Sequence, residues 1–365
     1  MIPVYRPRID QKAKDYVKDC LDGSWISSKG QYVDIFEKKF ALATDVIYAA
    51  SCCNGTCALH LALLSLGIGE GDEVIVPSFT YVASVNAIRY TGATPIFVDI
   101  LEDTWQIDPQ DVKKKISSKT KAIMVVHLYG HPCDMYSICE ISKENSLFVI
   151  EDCAEAFGAK YKDKHVGQFG DIATYSFFGN KTITTGEGGM VVTNNETLYD
   201  RVCKLKGQGL AIQRQYWHDE IGYNYRMTNI QAAIGCAQID IAEELLAGKR
   251  ALAQCYMDGF NGTEISWHKE SHDVIHSYWM FSVTMDITEK QRNKMMSTLL
   301  EKYGIETRPL FYPVHTMPIY SKKYEMHPVS EKVHRTGFNL PSFPELNSKE
   351  IKHIITSVKE VYSGI

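Results

Sequence analysis

The sequence predicts an α/β protein with a mainly parallel central sheet, helices on both faces of that sheet, and a smaller C-terminal α+β domain. The first observation is that short apolar runs alternate with helix-like segments through the first two thirds of the 365-residue chain. The second is that these runs are largely continuous, as in strands buried on both faces of a sheet. Several intervening segments are long enough for crossover helices, which favours parallel pairing. The predicted strands are Val46–Ala50, Glu73–Val76, Pro95–Val98, Ala122–Val126, Leu147–Ile150, Ile172–Phe177 and Met190–Thr193.

A different apolar pattern begins near residue 226. The segment that carries it leads out of the large domain. Apolar residues recur every three or four positions, which predicts one long amphipathic helix. We place the large domain over residues 1–245 and the small domain over residues 246–365. The repeating residues are Ile230, Ile234, Ala237, Ile241 and Leu245. In the small domain the sequence predicts strands over Tyr278–Thr284 and near Arg308, and helices over Glu289–Tyr303 and Ser348–Tyr362.

The composition is that of an ordinary globular protein and argues against several classes of partner. Hydrophobic residues make up 45% and charged residues 23%. The net charge of −5 does not suggest nucleic-acid binding. No apolar stretch reaches the roughly 20 residues that span a bilayer, so we expect no membrane association. The N-terminus lacks the apolar core of a signal peptide, so we expect a cytoplasmic protein.

The ten cysteines indicate neither a disulfide framework nor a metal site. Most lie inside apolar segments, where reduced cysteine behaves as a small hydrophobic residue. Cys53 and Cys57 are four residues apart and His131 lies near Cys133, but no second pair follows at zinc spacing. We therefore expect no metal.

A lysine and an aspartate occupy positions that suggest cofactor chemistry. Lys181 follows a predicted strand and precedes a glycine-rich turn, and Asp152 follows the strand Leu147–Ile150. A pyridoxal phosphate (PLP) enzyme needs a lysine that bonds to the cofactor and a carboxylate that holds a proton on its ring nitrogen. Each residue also has an ordinary explanation, as a surface lysine beside glycines and as a helix-capping aspartate. The local pattern leaves both explanations open.

Two further segments follow predicted strands, where ligands bind in open α/β sheets. The turn Asn54-Gly55-Thr56 would lie at a helix N-terminus and offer backbone N–H groups to a phosphate. It could equally be an ordinary Asn-Gly turn with Thr56 as a helix cap. Tyr81 could cover a planar cofactor or pack under a loop.

Taken together and in this order, these segments resemble those of fold-type I, aspartate aminotransferase-like PLP enzymes. The chain resembles the DegT/DnrJ/EryC1/StrS family of nucleotide-sugar aminotransferases, and the resemblance extends from about residue 2 to the last helix. Its motifs are Trp25-Ile26-Ser27-Ser28-Lys29-Gly30, Val126-His127-Leu128-Tyr129-Gly130, Ser176-Phe177 with Lys181, Gly186-Glu187-Gly188-Gly189, Gly222-Tyr223-Asn224-Tyr225-Arg226-Met227-Thr228-Asn229, and the stretch from Arg308 to Pro318.

The resemblance implies a role for each matching position. Lys181 and Asp152 match the catalytic lysine and the acid on the pyridine nitrogen. Asn224 matches an asparagine that reaches the cofactor phosphate of a neighbouring subunit, which implies a homodimer with shared active sites that could pair into a tetramer. The other implied cofactor contacts are Gly55, Thr56 and Ser176 at the phosphate and Tyr81 over the ring. Candidate contacts to the sugar nucleotide are Trp25, Ser27, Lys29, Arg308 and His315, although Trp25 could be a packing residue and Arg308 could hold the small domain.

The implied reaction transfers the amino group of L-glutamate to C4 of a nucleotide-linked 4-keto-6-deoxyhexose, with pyridoxamine phosphate (PMP) as the intermediate form of the cofactor. The expected substrate is GDP-4-keto-6-deoxy-D-mannose and the expected product is GDP-perosamine, whose sugar is of a type that enters the O-antigen of lipopolysaccharide. Lys181 favours transamination over a related sugar dehydration, whose enzymes carry histidine at this position.

Three alternatives remain open. A UDP- or dTDP-linked 4-keto-6-deoxyglucose would need the same catalytic residues and would give the viosamine nucleotide. A non-catalytic regulator built on this fold would not need Lys181 and Asp152. A dinucleotide-dependent dehydrogenase is disfavoured because no Gly-x-Gly-x-x-Gly follows the first strands.

Overall fold

The computed structural model describes residues 1–211, 214, 216–322 and 325–365. Within these residues the chain forms fourteen strands and twelve α-helices. The strands are β1 Tyr48–Cys52, β2 Glu73–Pro77, β3 Thr94–Val98, β4 Thr120–Val126, β5 Phe148–Asp152, β6 Lys160–Tyr161, β7 Lys164–His165, β8 Ile172–Ser176, β9 Gly189–Thr193, β10 Ser266–Trp267, β11 Val274–Ile275, β12 Ser282–Thr284, β13 Arg308–Pro309 and β14 Gly337–Asn339. The helices are α1 Gln11–Asp22, α2 Gln31–Thr44, α3 Gly55–Ser65, α4 Val82–Tyr90, α5 Pro109–Lys115, α6 Met135–Asn145, α7 Glu196–Lys206, α8 Asn229–Asp240, α9 Ala242–Phe260, α10 Glu289–Tyr303, α11 Pro328–Thr336 and α12 Ser348–Ser363.

The seven long strands of the large domain form one sheet in the order β1-β9-β8-β5-β4-β2-β3. Strand β9 runs antiparallel to both of its neighbours, and the pairs from β8 to β3 are parallel. Each of the seven predicted strands overlaps one of these, so the mainly parallel sheet is confirmed. The continuous apolar runs arise because both faces are covered: Val74 and Val76 pack with α3 and α4, whereas Ile75 packs on the opposite face.

A second, four-stranded antiparallel sheet has the order β10-β12-β14-β13 and packs against α9, α10 and α12. Capping boxes begin α10 (Thr288 with Gln291) and α12 (Asn347 with Glu350), and both helices lie where the sequence predicts them. The predicted strand Tyr278–Thr284 is shortened to β12, because Trp279 donates its backbone N–H to Tyr129 of the large domain instead. The division at residues 245 and 246 remains a proposal, and it falls inside α9.

The prediction of one long helix through residues 230–245 is wrong. Ile241, with φ −111° and ψ 8°, leaves the helical conformation and separates α8 from α9. No proline or glycine marks the break in the sequence, so the apolar spacing alone could not reveal it. Within the described residues, no helix has both the length and the apolar character that a bilayer span requires.

Candidate active site

A cavity of about 470 Å³ opens where the carboxyl ends of β1, β2, β5 and β8 meet at one edge of the central sheet. The opposite wall comes from the small domain, with Trp279, Phe311 and Asn339. The cavity brings together most of the residues that the sequence singles out for a cofactor. Those that line it are Gly55, Thr56, Tyr81, Asp152, Ser176 and Lys181. Arg308, predicted to contact the sugar nucleotide, lines it too.

Lys181 lies in the loop between β8 and β9 and extends its amine into this cavity. Its Nζ is 3.6 Å from Oε1 of Glu155 and 4.0 Å from the centre of the Trp279 ring. Its carbonyl accepts a hydrogen bond of 2.7 Å from the hydroxyl of Tyr5. Burial lowers the pKa of the Lys181 amine, and the nearby carboxylates of Glu155 and Asp152 oppose that shift. A lysine in such a setting releases its proton more readily than an exposed lysine does.

Asp152 is the last residue of β5 and is 4% exposed. Its Oδ2 accepts a hydrogen bond from the Ser84 hydroxyl at 2.8 Å, and its Oδ1 accepts one from the Ala154 N–H at 3.0 Å. Burial raises the pKa of Asp152, while these two hydrogen bonds and the Lys181 charge lower it. The carboxyl group is thus held in one orientation at the cavity wall.

Glu155 is a second acid in the cavity, and the sequence analysis did not identify it. Its Oε2 accepts a hydrogen bond of 2.8 Å from the backbone N–H of Tyr129, while Oε1 faces Lys181. Burial raises the pKa of Glu155 to about 7, although the Lys181 charge lowers it. The signal that could have found it is its position three residues after Asp152, directly beyond the end of a buried strand.

The turn before α3 is shaped to leave room for an anion. Asn54 caps the helix by accepting the Cys57 N–H at 2.9 Å, and the first-turn N–H groups of Gly55 and Thr56 lack intrahelical partners. A Cβ on Gly55 would lie only 2.7 Å from Cβ of Ser176, so only glycine lets the Ser176 side chain approach this turn. The helix dipole and these free N–H groups are together suited to an anion.

Several predicted residues lie outside this cavity. Asn224 is exposed, and its Oδ1 accepts a hydrogen bond from Arg226 at 3.2 Å. The segment that carries Trp25, Ser27 and Lys29 is attached to α8 instead, because the Asn229 N–H donates to the Ser27 carbonyl at 2.7 Å.

His315, predicted to contact the sugar nucleotide, does not line this cavity. His315 is 4% exposed, and its Nδ1 lies 2.6 Å from the hydroxyl of Ser78. Its Nε2 faces Glu331 at 3.4 Å. The imidazole therefore points into protein, where it joins the segment that follows β13 to the loop that follows β2.

Among the residues that the structure describes, one buried group of potential metal ligands is formed by His127, Glu151 and Cys153. Glu151 and His127 already make hydrogen bonds within the protein. Glu151 accepts hydrogen bonds from His127 at 3.0 Å and from the N–H groups of Gly167, Phe169 and Gly170. His127 also accepts the Cys133 N–H at 3.0 Å. A satisfied network of this kind holds β4 and β5 together and does not call for an ion.

Comparison with known proteins shows the class to which this fold and cavity belong. The model of the DegT/DnrJ/EryC1/StrS aminotransferase family matches residues 7–359. The chain therefore belongs to this family, and the prediction of a fold-type I, PLP-dependent sugar aminotransferase is confirmed.

Individual relatives narrow the comparison further. A GDP-perosamine synthase of Escherichia coli O157:H7 is 61% identical over 362 residues, covering 99% of each chain. A GDP-perosamine synthase of Vibrio cholerae is 47% identical over 367 residues, covering all of both chains. Among solved structures, Spr1654 of Streptococcus pneumoniae, assigned as a sugar aminotransferase, matches in its PLP form with a TM-score of 0.95 at 28% identity, covering 100% of this chain and 99% of that one. Its PMP form matches with the same TM-score at 27% identity and full coverage of both chains.

Proposed function

We propose that this chain transfers the amino group of L-glutamate to C4 of GDP-4-keto-6-deoxy-D-mannose and so makes GDP-perosamine. The observation that carries the choice of sugar is the 61% identity, over almost the whole chain, to the E. coli GDP-perosamine synthase. The V. cholerae relative of the same name supports it at 47% identity. The cavity supports the chemistry, because it offers a lysine side chain that is only 14% exposed near two buried carboxyl groups.

The cavity residues fit PLP. The turn Gly55-Thr56 with Ser176 would hold the phosphate, in space that a side chain at position 55 would fill. Asp152 would hold a proton at the pyridine nitrogen, and Tyr81 would cover one face of the ring. Lys181 would hold the cofactor covalently. When bound, PLP supplies an electron sink that carries the amino group between donor and acceptor.

The protein's own side chains accept and release the protons of the reaction. The Lys181 amine has a lowered pKa and lies 3.6 Å from Glu155, so Nζ can accept a proton and release it again inside the cavity. Glu155, with a pKa of about 7, can hold that proton at intermediate pH. Arg308 lies at the cavity wall and offers a positive charge to the diphosphate of the sugar nucleotide.

Product analysis tests this function directly. The purified protein, supplied with PLP and L-glutamate, is offered GDP-4-keto-6-deoxy-D-mannose and, separately, UDP- and dTDP-linked 4-keto-6-deoxyglucose. We expect 4-amino sugar, identified by mass spectrometry, from the GDP substrate. Preferential conversion of a UDP or dTDP substrate would replace the proposal with viosamine synthesis. Absence of product from all three, with an intact lysine-linked cofactor, would favour a regulator.

We also propose that the protein acts as a homodimer with shared active sites. Asn224 and the Trp25–Lys29 segment both lie outside their own chain's cavity, next to α8, where a second copy could use them. Large apolar side chains nearby are exposed, with Trp217 at 51% and Ile221 at 86%, as expected of a surface that a partner covers. A cytoplasmic location and use of the product in O-antigen synthesis belong to the same proposal.

Complementation between two inactive variants tests the shared sites. Lys181→Ala and Asn224→Ala subunits are denatured together, refolded as a mixture, and assayed. A mixed dimer would contain one site with both the lysine of one chain and the asparagine of the other, so activity should return to about one quarter of the parent value. Activity no higher than that of the two variants refolded separately would contradict sharing.

A further inference from the structure

Lys249 is a buried amine that lies outside the cavity, and burial lowers its pKa to about 7. It belongs to α9 and is 2% exposed. Its Nζ donates hydrogen bonds to the carbonyls of Trp279 at 3.0 Å and Ser342 at 2.8 Å, and it lies 4.9 Å from the centre of the Tyr5 ring. Among the described residues, no carboxylate lies within ion-pair distance of this amine. Burial of a cation without a counter-ion is costly, so a lysine at this position requires an explanation.

Two of the three residues that Lys249 contacts, Trp279 and Tyr5, also contact Lys181. Trp279 places its ring 4.0 Å from the Lys181 Nζ, and its indole N–H donates to the Asn180 carbonyl at 2.7 Å. Tyr5 donates its hydroxyl to the Lys181 carbonyl at 2.7 Å. One buried amine thus contacts both the residue beside the reactive nitrogen of Lys181 and the residue that holds its backbone.

The third contact joins the same amine to the rest of the small domain and to the N-terminal segment. The Ser342 carbonyl accepts from Lys249, while the Ser342 N–H donates to the Val4 carbonyl at 2.9 Å, one residue before Tyr5. The Ser342 hydroxyl in turn accepts the Phe281 N–H at 2.8 Å. Lys249 therefore lies where the N-terminal segment, the small domain and the Lys181 loop converge.

We propose that Lys249 is a positioning residue for Lys181, acting through Trp279 and Tyr5. The inference rests on the proposed function in one respect, the role of Lys181 as the residue that bonds to the cofactor. An apolar side chain could fill the same volume at lower cost, but it could not donate hydrogen bonds to the carbonyls of Trp279 and Ser342. Nor could it attract the face of the Tyr5 ring.

The consequence for Lys181 concerns its proton. An aromatic face within 4.0 Å favours the charged form of an amine, so the fixed position of Trp279 stabilises the protonated nitrogen beside it. If Lys249 is replaced, the Trp279 carbonyl loses a hydrogen bond and the Trp279 ring is held less firmly. The protonated nitrogen of Lys181 then loses part of its stabilisation by that ring. The change should be visible in the resting protein, without turnover.

The test compares Lys249→Met, which keeps the length of the side chain and removes its donors, with the parent protein. Both are loaded with PLP, and the visible absorbance of the lysine-linked cofactor is titrated with pH. We expect the midpoint of Lys249→Met to fall by at least about half a pH unit, the smaller end of what a partly desolvated cation–π contact contributes. Borohydride trapping and mass spectrometry then measure the fraction of Lys181 that carries the cofactor, which should also fall.

Arg292→Met is the matched control. Arg292 is a second buried basic residue of the small domain, 1% exposed, and it too donates to two carbonyls, those of His334 at 2.9 Å and Gly337 at 3.3 Å. In the part of the chain that the structure describes, it has no hydrogen bond to Trp279 or Tyr5. Arg292→Met should lower the melting temperature and leave the midpoint within about 0.2 pH units of the parent, below the effect expected of a cation–π contact.

Equal midpoints in Lys249→Met, Arg292→Met and the parent would overturn the inference and leave Lys249 a structural residue only. If Lys249→Met yields no folded protein, Lys249→Gln takes its place, because its amide can still donate to one of the two carbonyls. The same midpoint comparison then decides. The parent protein distinguishes this outcome from failure of the proposed function. If no cofactor is trapped on Lys181 of the parent, the proposed function is contradicted.

Discussion

Lys181 and Glu155 form an ion pair inside the cavity, with 3.6 Å between Nζ and Oε1, and the two groups shift each other's pKa. Burial acts in opposite directions on them, raising the pKa of the acid to about 7 and lowering that of the amine. Their proton affinities are thereby brought closer together than those of an exposed lysine and glutamate. A pair of this kind can pass a proton over a short distance at neutral pH.

Lys181→Ala should abolish amino transfer while leaving the phosphate turn intact. We expect a loss of at least about 1000-fold, because both the covalent bond to the cofactor and the proton acceptor disappear. The measurement is the rate of sugar amination, with cofactor retention followed by absorbance. Lys269→Ala, at an exposed ion pair with Asp103, is the control and should keep parental activity. Appreciable turnover by Lys181→Ala would contradict the assignment.

Glu155→Gln should change the pH dependence of stability. The folded-state pKa of Glu155 lies above its ordinary value of 4.5, at about 7. The stability that protonated Glu155 contributes is therefore fully present below pH 4.5. It is lost as the pH rises through about 7. Above about pH 7 the parent should be less stable than Glu155→Gln by up to roughly 3 kcal/mol.

Thermal unfolding of the cofactor-free proteins at about pH 5 and pH 8 measures this difference. The melting temperature of Glu155→Gln should exceed that of the parent by several degrees at the higher pH and by much less at the lower pH. Glu331→Gln, which removes an acid that faces His315 rather than Lys181, serves as the control. A pH-independent difference would mean that Glu155 ionises normally.

Asp152→Asn should cost far more activity than removal of the hydroxyl that orients Asp152. An amide cannot hold a proton on a pyridine nitrogen, so we expect a loss of at least about 100-fold. Ser84→Ala removes one hydrogen bond of 2.8 Å to a carboxyl group that keeps its other bond to Ala154, and should cost about tenfold or less. Steady-state rates of both variants decide, and equal losses would show that Asp152 acts only as part of the scaffold.

Gly55→Ala should weaken cofactor binding by steric conflict. The added Cβ would lie 2.7 Å from Cβ and 3.0 Å from Oγ of Ser176, both parts of the proposed phosphate site. We expect the dissociation constant for PLP, measured by fluorescence or absorbance titration, to rise at least about tenfold, which corresponds to about 1.4 kcal/mol. Gly69→Ala is the control, because its new Cβ would be 3.8 Å from its nearest neighbour. Similar affinities for the two variants would place the phosphate elsewhere.

The sequence predicts the central sheet and one side of the cavity well, for a physical reason. Strands buried on both faces are apolar throughout, and ligand-binding residues follow their carboxyl ends, so Asp152 and Tyr81 stand out from local context. Trp279 is not identifiable in this way, because it reaches Lys181 only when the two sheets come together.

The side of the cavity that belongs to the small domain is harder to predict for the same reason. A basic or aromatic residue in the segment after β13 could point into the cavity or into protein, and the spacing does not distinguish these directions. Arg308 lines the cavity, whereas His315 turns away to Ser78. The break at Ile241 is similar, because apolar periodicity continues across it.

Arg308→Ala should therefore weaken substrate binding, whereas His315→Ala should lower the stability of the fold. Arg308 lines the cavity with its charge half exposed, so its loss should raise KM for the sugar nucleotide by about tenfold and leave the melting temperature nearly unchanged. His315 is buried and bonded to Ser78 at 2.6 Å, so its loss leaves a buried hydroxyl without that partner and should cost about 1–3 kcal/mol of folding free energy. Denaturant unfolding and steady-state kinetics on both variants measure the two effects. A rise in KM for His315→Ala without loss of stability would return His315 to the sugar site and show that the imidazole turns toward the cavity when substrate binds.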